Sequence, residues 1–182
     1  FDLYVSEKMI TVNGKSSMAT LINDSLPAPT LKMQEGDTVT IRVHNQLNES
    51  TSIHWHGLLV PFEMDGVPGI SFDGIPAGST FTYKFKLTQS GPYWYHSHTG
   101  FQEQTGMRGA IVIEPKGRER YPIEEDHVIL LSDWTHRDPH NLLKLLKQRA
   151  DFDNYHLPDF KKLLPDIAAT DLEAAFDKRK TW

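Results

Sequence analysis

The 182-residue chain has no cysteine, which excludes disulfides, thiolate metal sites and cysteine nucleophiles at one stroke. It has no apolar run near the ~20 residues that cross a bilayer as a helix, so no membrane span is expected. Strong charge of one sign is missing as well. The net charge is -5 and unclustered, which argues against nucleic acid, whose binding depends on neutralising phosphates. There is no nucleophile elbow, no Walker loop and no His-Glu-x-x-His helix, and no internal repeat or low-complexity tract. With 38% hydrophobic and 24% charged residues, the composition is that of a globular chain. Its unusual component is nine histidines.

Composition shifts near residue 115: residues 1–115 carry 18 charged residues and 116–182 carry 25. This divides the chain into a domain over 1–115 and an extension over 116–182. The first part alternates like half-buried strands. Thr38–Asn45 puts Val39, Ile41 and Val43 on one face and Thr40, Arg42 and His44 on the other, and Thr80–Leu87 does the same with Phe81, Tyr83, Phe85 and Leu87. Strands are also predicted at Leu3–Val12, Ile53–Val60, Tyr93–His96 and Arg108–Glu114. Turn signals such as Asn13-Gly14, Asp65-Gly66 and Ser90-Gly91-Pro92 separate them. Short strands with Gly/Pro punctuation and no helices between them indicate an antiparallel sandwich or small barrel. In the extension, His127–Asp133 is consistent with one more strand. Asp138-Pro139 is a fair helix start before Leu142–Leu146, and Thr170-Asp171-Leu172-Glu173 has the form of a capping box. The chain opens at Phe1 without a basic or apolar leader and closes in Lys178-Arg179-Lys180-Thr181-Trp182. The first suggests a removed targeting segment or an excised piece, and the second suggests truncation.

Chemistry concentrates in His54-Trp55-His56-Gly57 and in Tyr93-Trp94-Tyr95-His96-Ser97-His98. Residues two apart on a strand share a face at roughly 6.5–7 Å, so each His-X-His presents two imidazoles side by side while Trp55 or Ser97 points away. If the two strands are neighbours, four imidazoles converge on one patch. Such donors suit copper, zinc, iron or nickel. At this histidine content about half a His-X-His arises by chance, so spacing alone leaves metal binding level with ordinary surface or core histidines. Flanking glycines and aromatics tilt the balance towards a shaped metal site. His44 reads as solvated, His136 and His140 as loop residues opposed to a helix by Pro139, His127 as a strand opening, and His156 as a lone loop residue. The five methionines are scattered along the chain and read as filler. Glu124-Glu125-Asp126 reads as a solvated charge run.

At these residues the sequence resembles the multicopper oxidases. His54-Trp55-His56-Gly57 and His96-Ser97-His98 look like the family's first two copper-ligand motifs. Glu35-Gly36-Asp37, Asp65-Gly66-Val67-Pro68 and Ser90-Gly91-Pro92-Tyr93-Trp94-Tyr95 fit the flanking text. Leu131-Ser132-Asp133-Trp134 and Thr135-His136 look most like the bacterial copper-resistance branch.

That resemblance implies an all-β, cupredoxin-like Greek-key β-barrel or sandwich over 1–115, with a short, partly helical C-terminal extension that contains the start of a second domain. It implies that His54 binds the type 2 copper, and that His56, His96 and His98 bind the type 3 pair. Asp65 stands where the family carries an acid that helps supply protons; as a turn residue in Asp65-Gly66 it has an equally good structural role. The other four ligands of the trinuclear cluster, and the type 1 copper with its cysteine, belong to a C-terminal cupredoxin domain that this chain does not contain. The implied parent activity reduces dioxygen to water while oxidising cuprous ion or phenolics one electron at a time, in periplasmic copper resistance. A stand-alone copper sponge or carrier is the alternative.

Overall fold

The computed structural model describes residues 1–117, 125–151, 161 and 163–180. His156, Glu124 and the terminal Thr181-Trp182 lie outside the described residues. Two compact units divide the chain, residues 1–140 and 141–182.

Among the described residues the first unit carries eight strands: β1 (Asp2–Val12), β2 (Lys15–Ile22), β3 (Ala28–Gln34), β4 (Thr38–Asn45), β5 (His54–His56), β6 (Thr80–Lys86), β7 (Gly91–His96) and β8 (Arg108–Glu114). They form two four-stranded sheets ordered β2-β1-β4-β6 and β3-β8-β7-β5. No ladder joins the two sheets, so the architecture is a two-layer sandwich and not a closed barrel. Most pairings are antiparallel, but β1 runs parallel to β4 and β3 parallel to β8. The period of two does what alternation requires. Val39, Ile41, Val43, Tyr83, Phe85 and Leu87 are buried between the sheets, where they meet Ile111 and Ile113 from β8.

Several segments depart from the sequence expectation. β2 and β3 went unread because Lys15–Ile22 has no clean alternation and Ala28–Gln34 contains Pro29. β3 accommodates the proline as an edge strand with a register shift between Ala28 and Leu31. The strand predicted over Ile53–Val60 ends at His56. Gly57 takes φ +87°, and the Leu58 N–H turns back to the Trp55 carbonyl at 3.1 Å. His127–Asp133 forms no strand. A short apolar run becomes a strand only where a neighbouring strand takes its hydrogen bonds, and among the described residues no strand pairs with it. His44 is not free in solvent. It is stacked on Tyr4 at 4.4 Å and hydrogen-bonded to Thr80 Oγ1 at 2.9 Å and Asp2 Oδ1 at 3.0 Å. Arg42 binds the same Asp2 through two hydrogen bonds, and with His44 holds that carboxyl well below the usual carboxylate range.

Helix α1 (Pro139–Gln148) begins at the proline, which is pre-set for a first turn. In the second unit lie α2 (Leu163–Ala169) and α3 (Leu172–Lys180). The cap of α3 is Asp171, whose Oδ1 accepts from the Ala174 N–H at 2.8 Å. The capping box read from Thr170 is therefore one residue out of register; the Thr170 hydroxyl instead donates to the Asp166 carbonyl at 2.8 Å. Among the described residues, no helix is long and apolar enough to cross a membrane.

The segment between β4 and β5 is held by Asn45. Its amide donates to the carbonyls of Glu49, Ile75 and Pro76 at 2.8, 2.8 and 3.1 Å, and its Oδ1 accepts from the Leu47 N–H at 2.9 Å. These groups are buried or nearly so, and a lost partner leaves them unsatisfied. Asn45→Ala should therefore lower stability by about 3 kcal/mol, read as a fall in the urea midpoint with an unchanged slope.

Candidate metal centre

β5 and β7 are neighbours, with His54 opposite His96, Trp55 opposite Tyr95 and His56 opposite Trp94. Residues directly opposite share a face. Trp55 and Tyr95 therefore enter the core, where both are fully buried, and Trp55 meets Tyr83 edge-on at 5.0 Å. His54, His56, His96 and Trp94 take the other face. His98 follows the end of β7, and its N–H donates to Ser52 Oγ at 3.0 Å.

The four imidazoles named from the two motifs come together. Ring centroids of His54 lie 5.6, 5.6 and 4.8 Å from those of His56, His96 and His98, and the His96–His98 separation is 4.9 Å. Three of them are tighter still: one ring nitrogen each from His54, His56 and His96 lie within 4.8 Å of one another. That is roughly the diameter of a coordination sphere with metal–imidazole bonds of about 2.0–2.1 Å. This trio could hold one ion, with His98 at its edge.

Hydrogen bonds orient the trio. His54 Nδ1 lies 2.8 Å from the Asp65 carbonyl. A carbonyl only accepts, so Nδ1 carries the proton and Nε2 keeps its lone pair. The Asp65 carboxylate stands 3.5 Å from the same nitrogen, beyond a good hydrogen bond. Gly66 makes this approach feasible. It has φ +82°, and a Cβ there would sit 1.8 Å from the Ile53 carbonyl oxygen, so only glycine lets the two chains touch. His96 Nδ1 faces the Ser97 carbonyl at 3.1 Å and a Glu103 carboxylate oxygen at 3.0 Å. His96 Nε2 then accepts from His56 Nδ1 at 3.2 Å. Trp94 stacks against both rings, 4.0 Å from His96 and 4.7 Å from His56.

A buried polar network joins the loop after β7 to the segment before β5. Gln102 Oε1 accepts from Thr51 Oγ1 at 2.7 Å and Ser97 Oγ at 2.9 Å. Its Nε2 donates to Glu49 Oε1 at 2.8 Å and the Ser50 carbonyl at 3.0 Å. Sequence reasoning missed Ser52, Gln102, Glu103 and the stacking role of Trp94. The one available signal was Ser97, a polar residue that must find a partner once it points away from the histidines. Of the remaining histidines, His136 Nδ1 pairs with Ser17 Oγ at 2.6 Å and His140 meets Phe101 edge-on at 4.6 Å.

A multicopper oxidase family model matches residues 4–118. The chain belongs to the multicopper oxidase family. It is 47% identical over all 182 residues to Copper resistance protein A of Escherichia coli, covering 30% of that protein. It is 38% identical over 139 residues to Laccase-1 of Cryptococcus neoformans var. grubii, covering 72% of this chain and 22% of that one. Among solved structures, a laccase mutant from B. aclada superposes with a TM-score of 0.74 at 38% identity, over 81% of this chain and 28% of that one. The chain therefore spans about 30% of the length of the copper resistance proteins it matches. Membership bears out the cupredoxin-like all-β fold and makes copper the metal that the histidine trio must suit. Imidazole donors without thiolate do suit it.

Burial pushes the His96 imidazole below its ordinary value, and the Glu103 carboxylate pulls the other way. His98 is lowered too, first by partial burial and then by the adjacent His54. The unfolded chain therefore takes up protons on these rings at higher pH than the folded one. The metal-free protein should lose stability as pH falls below about 6.5 and regain it above that value. Imidazole titration by NMR should find both rings protonating below the ordinary value; protonation above it would contradict the burial argument.

Proposed function

We propose that this chain contributes one half of a trinuclear copper centre, with His54 a ligand of the type 2 copper and His56, His96 and His98 ligands of the type 3 pair. The observation that carries the reading is the cluster itself: three ring nitrogens within 4.8 Å, two of them on rings turned from behind by hydrogen bonds to main-chain carbonyls. Four imidazoles on one sandwich face leave open positions, which a C-terminal cupredoxin domain of the parent protein would fill. Copper held there supplies the redox chemistry by which dioxygen is reduced to water at the expense of cuprous ion or phenolic substrates. This is the activity we assign to the parent, in periplasmic copper resistance.

The chain's own residues do the holding and the proton handling. His54 already presents its Nε2 lone pair, and that of His96 accepts from His56 Nδ1. His56 spends its Nδ1 proton on His96, so ligation through Nδ1 requires that proton to move to Nε2, which its exposed ring allows. Asp65 has two separable parts. Its main-chain carbonyl orients His54, while its half-exposed carboxylate, not engaged in a short hydrogen bond to that ring, is the group we assign to proton supply. The chain has no cysteine, so no type 1 site forms within it and no group here relays electrons inward.

Copper titration of the metal-free chain tests the ligand assignment. The wild type should take up cupric ion without blue colour, since that absorption needs a copper–cysteinate bond. The double substitution His54→Ala/His56→Ala should abolish most uptake, while His44→Ala should leave it unchanged. Uptake that survives the double substitution would refute the site. A chain that binds copper and sustains oxygen consumption unaided would refute the half-centre reading in favour of a self-sufficient enzyme. A second substitution tests Asp65. Asp65→Asn preserves the carbonyl behind His54, so copper uptake should persist while oxygen reduction by the parent protein slows at least tenfold, within the range of proton-transfer catalysis. Equal loss of both would make Asp65 structural only.

A further inference from the structure

The stack on Trp94 and the close approach of the Glu103 carboxylate do different things to the His96 ring. Trp94 lies nearly parallel to it, 4.0 Å away at 14°, and so fixes the plane of the imidazole. A stack is indifferent to a half-turn about the Cβ–Cγ bond, which keeps the plane but exchanges each ring nitrogen with a carbon. The terminal torsion of histidine is broad and roughly two-fold. Something else must select between the two orientations and between the two tautomers.

We propose that Glu103 is the positioning residue of this centre, its carboxylate holding His96 as the Nδ1–H tautomer with Nε2 aimed at the space shared with His54 and His56. Glu103 Oε2 lies 3.0 Å from His96 Nδ1, and after a half-turn it would face a carbon. The Ser97 carbonyl, 3.1 Å from the same nitrogen, belongs to the next residue in the chain, and it is a neutral acceptor. The carboxylate places a full negative charge 3.0 Å from that nitrogen, which favours a proton there more than a neutral carbonyl does. The carboxylate also arrives on a separately anchored loop. Gln102 is buried and ties that loop to Glu49, Ser50 and Thr51, and the Arg108 guanidinium donates to the Glu103 carbonyl.

The contrast with His54 isolates what the charge adds. His54 has a main-chain carbonyl behind it, which no side-chain substitution removes. His96 has the Ser97 carbonyl in the same place and a side-chain carboxylate besides, and a carboxylate behind a ligating imidazole strengthens its donor nitrogen as well as orienting it. Glu103 is 46% exposed, so shortening it opens no cavity. The inference rests on the reading of His96 as a metal ligand, but the orientation of the ring is measurable without any metal.

The experiment compares wild type, Glu103→Gln and Glu103→Ala as full chains. Long-range 1H–15N spectra of the metal-free proteins at pH 7.5 should show His96 as a single Nδ1–H tautomer in the wild type and a mixture in Glu103→Ala. Glu103→Gln, which keeps a neutral oxygen acceptor, should fall between them. Cupric ion titrated against a competing chelator should bind at least about tenfold more weakly to Glu103→Ala, with Glu103→Gln again intermediate and thermal midpoints alike. An unchanged His96 tautomer in Glu103→Ala overturns the proposal, as does a tautomer mixture with undiminished copper affinity. If Glu103→Ala does not fold, Glu103→Gln against wild type decides by the same two readings. A wild type that takes up no copper at these histidines, but whose tautomer responds to Glu103, would sink the metal assignment and leave the positioning of His96 standing.

Discussion

Everything at this centre depends on the register of a three-residue ladder. β5 pairs with β7 so that His54 faces His96 and Trp55 faces Tyr95. Because side chains alternate across a sheet, a slip of one residue would drive the histidines into the core and put two large aromatics in solvent. The core therefore guards the site. Trp55 and Tyr95 are fully buried, and a Cβ at Gly109 would sit 2.6 Å from the Tyr95 ring. The Tyr95 hydroxyl reaches the Pro29 carbonyl at 2.7 Å, which links β7 to the edge strand β3 across β8. Burial on one face thus fixes the orientation of metal-type donors on the other.

Two loops complete what the ladder begins. One brings the Asp65 carbonyl behind His54, and it can come so close only because residue 66 has no side chain. The other follows His98, turns through Gln102 and sets Glu103 behind His96. Both rings donate from Nδ1 to a main-chain carbonyl, that of Asp65 for His54 and of Ser97 for His96, and the Glu103 carboxylate adds its charge behind His96. For His96 and His98, burial and the neighbouring imidazoles favour the neutral form, the one that can ligate.

As part of the multicopper oxidase family, the chain is informative for what it contains and for its span. It includes two His-X-His segments and about 30% of the length of its copper-resistance relatives. Four of its nine histidines cluster on one sandwich face, in a chain without cysteine. The first compact unit runs on to residue 140, past the shift in composition near 115. Arg108 spans part of that distance by donating to the Asp133 carbonyl at 2.9 Å, which anchors an extended segment that has no ladder of its own.

The sequence by itself determined the chemistry and the faces. Alternation in Thr38–Asn45 and Thr80–Leu87 marked the core strands, and two His-X-His motifs beside glycines and aromatics named the candidate donors. Those signals are local, carried by residues one or two apart, and so they are legible in one dimension. The tertiary structure alone decided which strands are neighbours, that His56 and His96 meet at 3.2 Å while His98 stands at the edge, and that Glu103 and Gln102 belong to the centre. It also decided that Asp171 rather than Thr170 caps α3, that His127–Asp133 is no strand, and that His44 is held by Asp2. Each of these depends on a partner distant in the chain or on a turn of backbone that no periodicity encodes. A hydrogen bond between residues brought together only by packing leaves no spacing to read.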